Sequence, residues 1–267
     1  MLDTLRTIIS DHIKYWRQIV GMGQRDLKKG YAGSAIGWAW TFANPIVRVG
    51  VYLFAFSVGL KQNRDIGEFS YFYWLLSGLI VWFYVQRVFN GGATCIKRYR
   101  FLVTKIKFPV CLIPTFTSFG AMITHFYILG AFMIIMAVGG HFPTIYWLQL
   151  PLYMLLMFLV ACAWGLFAGI LSTMSLDFQQ LVKSITMAVF WLSGIFFTFD
   201  GMPIWVQIIL NINPLAVLAK GYRDAFINGA WFWESPWIIE GIIVYILLAL
   251  AATWLYKKFG KELPDVL

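Results

Sequence analysis

The stretch NGGATCIKRYRFLVTKIKFP, residues 90–109, lies between two long apolar runs and contains cations but neither Asp nor Glu. Its cations are Lys97, Arg98, Arg100, Lys105 and Lys107. Short loops rich in Lys and Arg resist translocation, so this basic segment is predicted to lie on the cytoplasmic side of a membrane. Because it also contains apolar residues such as Phe101 and Leu102, we expect a short, partly apolar helix beneath the bilayer, where a partner could push on it.

The composition places the chain among membrane proteins. Of its 267 residues, 60% are hydrophobic and 12% are charged, whereas soluble domains average about half apolar and about a quarter charged residues. The chain is therefore predicted to be an all-α integral membrane protein. Its three cysteines, Cys95, Cys111 and Cys162, have no CxxC spacing, so neither a disulfide framework nor a zinc site is indicated.

Residues 1–23 have the pattern of an amphipathic helix. Apolar residues recur at steps of three and four, and the cations fall on other faces of the helix. With Trp16 and basic flanks, such a helix is typical of the membrane interface. Packing on the protein itself is the alternative. Gly21 and Gly23 are predicted to end the helix.

Residues 24–267 form the predicted transmembrane domain. A hydrocarbon core of about 30 Å requires about 20 apolar residues in a helix. Six runs meet this requirement, and they are residues 37–60, 69–88, 110–139, 146–174, 181–199 and 237–256. Residues 200–236 hold two apolar pieces that are too short to cross, which predicts short re-entrant helices between the fifth and sixth spans.

The distribution of cations predicts the orientation. Six spans return both termini to one side. That side carries six Lys and Arg before the first span, six from Arg87 to Lys107, one at Lys183 and three after the sixth span. The other side carries four: Lys61, Arg64, Lys220 and Arg223. This bias of sixteen to four predicts that both termini are cytoplasmic. Membrane topology thereby accounts for the net charge of +9, and nucleic acid is not a predicted partner.

Arg48 occupies the middle of the first predicted span. A cation at that depth is a functional candidate, for example through contact with a phosphate or diphosphate. Snorkelling to the interface, or a structural partner such as Glu240, is the alternative.

Motifs for catalysis are missing from the sequence. The three histidines lie in separate segments without partnered carboxylates, and neither GxSxG nor GxxxxGK[ST] occurs. Without a P-loop, transport against a gradient requires a separate ATPase or an ion gradient. Few ionisable groups lie at mid-membrane, which favours the ATPase over an ion-coupled carrier or a channel. A membrane-embedded transferase would need an acid and base cluster, and none is visible.

Four stretches follow one another in an order and spacing that resemble the permease subunits of type-2 ABC exporters. They are RDLKKGYAGSAIGWAWTFANP at residues 25–45, KIKFP at 105–109, LDFQQLVKSITMAVFWLSGIFF at 176–197 and NPLAVLAKGYRDAFINGAW at 213–231. The resemblance is to the branch that moves lipid-linked polysaccharides, namely O-antigens, capsules and wall teichoic acids. One departure is Ser193-Gly194-Ile195, where many relatives have Ser-Pro-Ile, so the usual kink of the fifth span is in question.

The resemblance implies a homodimer of this chain, bound to two copies of an ABC ATPase in the bacterial cytoplasmic membrane. ATP and Mg²⁺ would be bound by the ATPase, and no cofactor or metal by this chain. The implied substrate is a polymer linked to undecaprenyl diphosphate, with teichoic acid favoured over O-antigen or capsule. An ion-coupled carrier or channel without an ATPase is the alternative.

The resemblance also implies two sets of site residues. The set expected to contact the ATPase comprises Lys97, Arg98, Arg100, Phe101, Leu102 and Lys105, with Asp177 and Gln180 as a second contact. The alternative for the basic segment is a topogenic role in which it touches only anionic lipid. The candidates for contact with the substrate headgroup are Arg48, Trp38, Tyr222 and Arg223.

Overall fold

The computed structural model describes residues 1–30, 33–55, 69–106, 108–199 and 201–267. Within these ranges the chain is helical and contains no strand. In chain order the helices are α1 (Leu2–Lys14), α2 (Trp16–Lys29), α3 (Trp40–Phe54), α4 (Tyr71–Arg98), α5 (Arg100–Thr104), α6 (Leu112–Val138), α7 (Leu150–Met174), α8 (Leu176–Trp191), α9 (Ile204–Asn211), α10 (Pro214–Arg223), α11 (Trp237–Phe259) and α12 (Leu263–Val266). A 3₁₀ turn, Ile145–Gln149, precedes α7, and a π turn, Asp224–Asn228, extends α10.

Helix α4 lies at the centre of the bundle and packs against α3, α6, α7, α8 and α10. It does not end near residue 88, as the sequence predicted, but continues to Arg98. Close packing explains the extension, because a Cβ added to Gly92 would lie 2.9 Å from the Cα of Gly165 on α7. Gly92 therefore allows α4 and α7 to approach closely, and neither Gly91 nor Gly92 breaks α4.

Four described helices are long and apolar enough to cross a membrane: Tyr71–Arg98, Leu112–Val138, Ile145–Met174 and Trp237–Phe259. The pair Ile204–Asn211 and Pro214–Asn228 passes the same test together, but it is bent by 99° and is either a broken span or a re-entrant loop. Residues 56–60 of the first predicted span lie outside the described residues. The count of six spans stays a prediction.

The fifth predicted span, residues 181–199, is not a continuous helix. Helix α8 begins at Leu176 and ends at Trp191. At 1.5 Å per residue its 16 residues measure about 24 Å, less than the hydrocarbon core of about 30 Å. Gly194 follows with a φ of 68°. Proline cannot adopt this angle because its ring holds φ near −65°, so the Ser-Gly-Ile sequence turns the chain in a way that Ser-Pro-Ile could not.

The N-terminal segment forms two helices that meet at Tyr15, and the second continues through both glycines to Lys29. The prediction that Gly21 and Gly23 end the helix is wrong. Gly23 is instead the point where α2 crosses α6, since a Cβ there would lie 2.7 Å from the carbonyl oxygen of Phe116. Helix α2 therefore packs on the protein itself, which was the alternative to a position at the membrane interface. Helix α1 keeps an exposed apolar stripe, which the interfacial prediction requires.

Candidate functional site

The basic segment is the end of α4, a turn at Tyr99 and the short helix α5. Its inner side is apolar and buried. The Tyr99 ring packs edge-on against Phe116 of α6, with ring centroids 4.8 Å apart. Leu102 and Val103 belong to the same apolar cluster, which also includes Leu263 near the C-terminus. These contacts fix the segment to the bundle.

The outer side of the segment carries its charge. The exposed side chains are Arg98, Arg100, Phe101, Lys105 and Ile106, which we call the basic rim, and Lys97 beside them is half-buried. Phe101 has 49% of its surface exposed, whereas Leu102 has only 6%. Leu102 was expected to offer apolar area to a partner, but it contacts its own chain instead. Phe101 and Ile106 are the apolar side chains that the rim presents.

Asp26 of α2 lies against the basic rim. Its Oδ1 is 3.3 Å from the Nη2 of Arg98, and it also accepts a hydrogen bond from the Tyr99 hydroxyl. Burial, followed by this hydrogen bond, raises the pKa of Tyr99 well above its usual value. The hydroxyl therefore stays protonated and available to donate. Through Asp26 the N-terminal helix pair is tied to the end of α4.

The second expected contact lies at the same end of the bundle. Gly169 of α7 packs against Ile96 of α4, which places the following α7–α8 turn beside the basic segment. Ser175 caps α8 by accepting a hydrogen bond of 3.4 Å from the backbone N–H of Phe178. Asp177 and Gln180, in the first turns of α8, are both exposed. The structure thus brings the two expected contact regions together.

Arg48 is exposed, and its Nη1 donates a hydrogen bond to Oε1 of Gln86 on α4. The partner of Arg48 in this structure is therefore Gln86 and not the Glu240 considered from the sequence. Because the Arg48 guanidinium is exposed, it can contact an anion while it is bonded to Gln86. The side chain of Trp38 lies outside the described part of the chain.

The two remaining headgroup candidates are buried. Tyr222 is 0% exposed, and its hydroxyl is 2.8 Å from Nε2 of His125. Arg223 is 6% exposed and donates to the carbonyl oxygens of Gly194 at 2.7 Å and Ile195 at 2.8 Å. Its guanidinium also lies 3.5 Å from the centroid of a Trp74 ring. Both side chains are engaged by the chain itself, so neither is open to a substrate headgroup here.

Comparison with known proteins identifies the family. The sequence pattern of the family described as ABC-2 type transporter matches residues 17–227. The chain belongs to the ABC-2 type transporter family. The match runs from α2 to the end of α10 and its π turn, so this ABC-2 transporter chain has both contact regions within the matched part. The resemblance inferred from four stretches is thereby confirmed, and the chain is a multi-pass membrane protein.

Relatives of this ABC-2 transporter chain align over nearly their full length. It is 25% identical over 260 residues to the O-antigen export system permease protein RfbA of Myxococcus xanthus, covering 97% of this chain and 98% of the relative. It is 24% identical over 254 residues to a protein of the same name from Klebsiella pneumoniae, covering 93% and 94%. It is 22% identical over 235 residues to the polysialic acid transport protein KpsM of Escherichia coli, covering 87% of each.

Proposed function

We propose that the chain is the membrane-spanning subunit of an exporter that moves a lipid-linked polysaccharide across the cytoplasmic membrane. Family membership and full-length alignment with permeases named for O-antigen export and polysialic acid transport support this proposal. A separate subunit supplies ATP hydrolysis, because the sequence contains no P-loop. That ATPase holds the ATP and Mg²⁺.

The single observation that carries the mechanism is the basic rim with Phe101 at its centre. An exposed aromatic side chain can fill a pocket of a partner, while cations around it steer the encounter and fix its register. Directly beneath the rim, Leu102 and Val103 are packed into the interior. Because close-packed interiors transmit displacement, a push on the rim moves the ends of α4 and α6. Asp177 and Gln180 form a smaller second contact with the ATPase.

We place the polymer between two copies of the chain. Helix α4 fills the middle of the bundle, with Leu75, Leu79 and Ile80 completely buried, which leaves the described part of one copy without room for a polysaccharide. Helices α3 and α8 carry large exposed apolar side chains, including Val51 and Trp191, that a second copy would cover. In this arrangement each copy has six spans and both termini in the cytoplasm.

The exported polymer is proposed to be a polysaccharide of the O-antigen or capsule class, carried on undecaprenyl diphosphate. The relatives above bear O-antigen and polysialic acid in their names, and they lend no support to the preference for teichoic acid expressed from the sequence. Teichoic acid is therefore the alternative polymer that the experiment below distinguishes.

Deletion of the gene and complementation test the proposal. Loss of the chain should remove the polymer from the cell surface and cause lipid-linked polymer to accumulate inside, and the wild-type chain should reverse both effects. Sugar analysis of the accumulated material separates a polysaccharide from a polyol phosphate, which would indicate teichoic acid. Unchanged surface polymer in the deletion strain would contradict the proposed function. Export that persists after deletion of the ATPase gene would favour the ion-coupled alternative.

A further inference from the structure

A pocket of about 290 Å³ lies between α2, α4 and α6, next to the basic rim. Its charged lining consists of Asp26, Lys29, Arg87 and Arg98. Asp26 and Arg98 form an ion pair and offset one another. In the described part of the chain neither Lys29 nor Arg87 has a carboxylate within ion-pair distance. Two uncompensated cations therefore face the same pocket.

Arg87 gives the pocket its depth. From position 98 back to position 87, α4 rises about 16 Å at 1.5 Å per residue, so Arg87 lies well inside the bundle relative to the rim. It is half-buried, and its Nη1 donates a hydrogen bond of 3.0 Å to Oγ1 of Thr124. A guanidinium carries five N–H donors, so most of them remain available. Ionisable groups inside membrane bundles are costly and mark binding sites or ion pathways.

We propose that this pocket binds the phosphate group of a lipid, with Arg87 at the base and Lys29 at the entrance. The planar guanidinium matches two phosphate oxygens at once. The volume is at the lower end of the range for small-molecule sites, which suits a headgroup and excludes a sugar polymer. A Cβ at Gly91 would meet nothing within 4 Å, so the α4 side of the pocket is open.

Two lipids carry the required chemistry. One is the diphosphate lipid that carries the exported polymer, and this assignment rests on the proposed function. The other is an anionic phospholipid of the surrounding bilayer. If the ligand is the diphosphate lipid, the pocket is a cytoplasmic recognition site for the substrate, and it lies beside the basic rim that receives the ATPase.

Equilibrium binding to the purified full-length chain in a neutral detergent tests the site, with farnesyl diphosphate as the probe. Arg87→Gln should raise the dissociation constant about tenfold or more, because charge-assisted hydrogen bonds to phosphate are lost. Arg17→Gln is the matched control, since Arg17 is an exposed cation of α2 outside the pocket, and it should change the constant less than about twofold. Equal constants for these two variants would overturn the proposal.

A second variant covers the case in which Arg87→Gln does not fold. Lys29 is exposed, so Lys29→Gln leaves the packing intact and should weaken binding about threefold. A Lys29→Gln chain that binds the probe as tightly as wild type would also count against the site.

Competition with phosphatidylglycerol identifies the source of the phosphate. Displacement of farnesyl diphosphate at equal concentration would support a bilayer phospholipid as the ligand, and lack of displacement would support the diphosphate carrier. Failure of both lipids to bind would overturn the proposal. The measurement needs neither ATPase nor polymer, so a chain that binds the probe but whose deletion leaves export intact fails only in its proposed function.

Discussion

The basic rim and the buried Arg223 are both cationic, yet the molecule holds their charges in opposite ways. At the rim, Arg100 and Lys105 are exposed around Phe101, and Asp26 is the carboxylate paired there, with Arg98. Arg223 is enclosed, and backbone carbonyl groups accept its hydrogen bonds. A cation whose donors are used within the chain stabilises the fold. A cation whose donors face outward is available to a partner.

The end of α8 at Trp191 explains why Arg223 is needed. Beyond a helix end, carbonyl groups have no intrahelical donors, and buried ones need other partners. The chain turns after Trp191, and Arg223 supplies N–H groups to the carbonyls of Gly194 and Ile195 that follow. Gly78 of α4 makes room, because a Cβ there would lie 2.8 Å from Nη2 of Arg223. Through Arg223 the bent pair of α9 and α10 is attached to both α4 and the segment that follows α8.

The largest expected effect comes from removing the buried cation. Arg223→Met leaves two buried carbonyl groups without donors, and we expect it to lower the free energy of unfolding by about 3 kcal/mol or more. Arg100→Met, which removes an exposed cation of the rim, should change it by less than about 0.5 kcal/mol. Thermal unfolding of both variants in detergent, followed by size-exclusion chromatography, measures the difference. Equal losses would remove the contrast between the two regions.

A smaller effect on stability is expected when the buried inner side of the basic segment is compared with its exposed outer side. Leu102→Ala deletes a buried side chain and should destabilise the chain by about 2 to 3 kcal/mol. Phe101→Ala removes an exposed side chain and should alter stability by no more than about 0.5 kcal/mol. The same unfolding assay compares them. Substantial destabilisation by Phe101→Ala would mean that this ring belongs to the fold, as Arg223 does.

The sequence predicted the fold class, but it did not predict which of the adjacent residues Phe101 and Leu102 is buried. Composition and long apolar runs predicted an all-helical membrane protein, since hydrocarbon requires backbone groups to be satisfied within helices. The helix Leu112–Val138 matches its predicted span within two residues at the start and one at the end. Phe101 and Leu102 could not be told apart, because the turn at Tyr99 decides which of them faces the bundle.

The surroundings of Arg223 and the role of Gly23 were not predicted from the sequence, for physical reasons that differ. The acceptors of Arg223 are backbone carbonyl groups, and any residue has one, so no residue type marks the partner. Gly23 was expected to end a helix, but it serves a close crossing with α6 that depends on tertiary packing. Asp26, the carboxylate that pairs with the rim, was not singled out because its partners lie more than seventy positions away.

The smallest expected effect on stability comes from removing the hydrogen bond that ties the end of α4 to α2. Tyr99→Phe removes the hydrogen bond to Asp26 and should cost about 1 to 2 kcal/mol, mainly as looser attachment of α2. Hydrogen exchange at residues 16–29 should quicken in this variant, whereas exchange at α10 should be unchanged. If exchange quickens equally in both regions, the rim and α10 are not independent units.

The central claim is that Phe101 seats the ATPase and passes its motion to the bundle. The direct measurement is the amount of ATPase that copurifies with the chain, together with the ATP hydrolysed per polymer exported in proteoliposomes. Phe101→Ser should reduce retention about tenfold or raise the ATP used per polymer. Phe142→Ser alters a phenylalanine that is even more exposed, at 70%, and lies just beyond the C-terminal end of α6, so it should leave both at wild-type values. A Phe101→Ser chain that keeps its ATPase and exports polymer normally would contradict the claim.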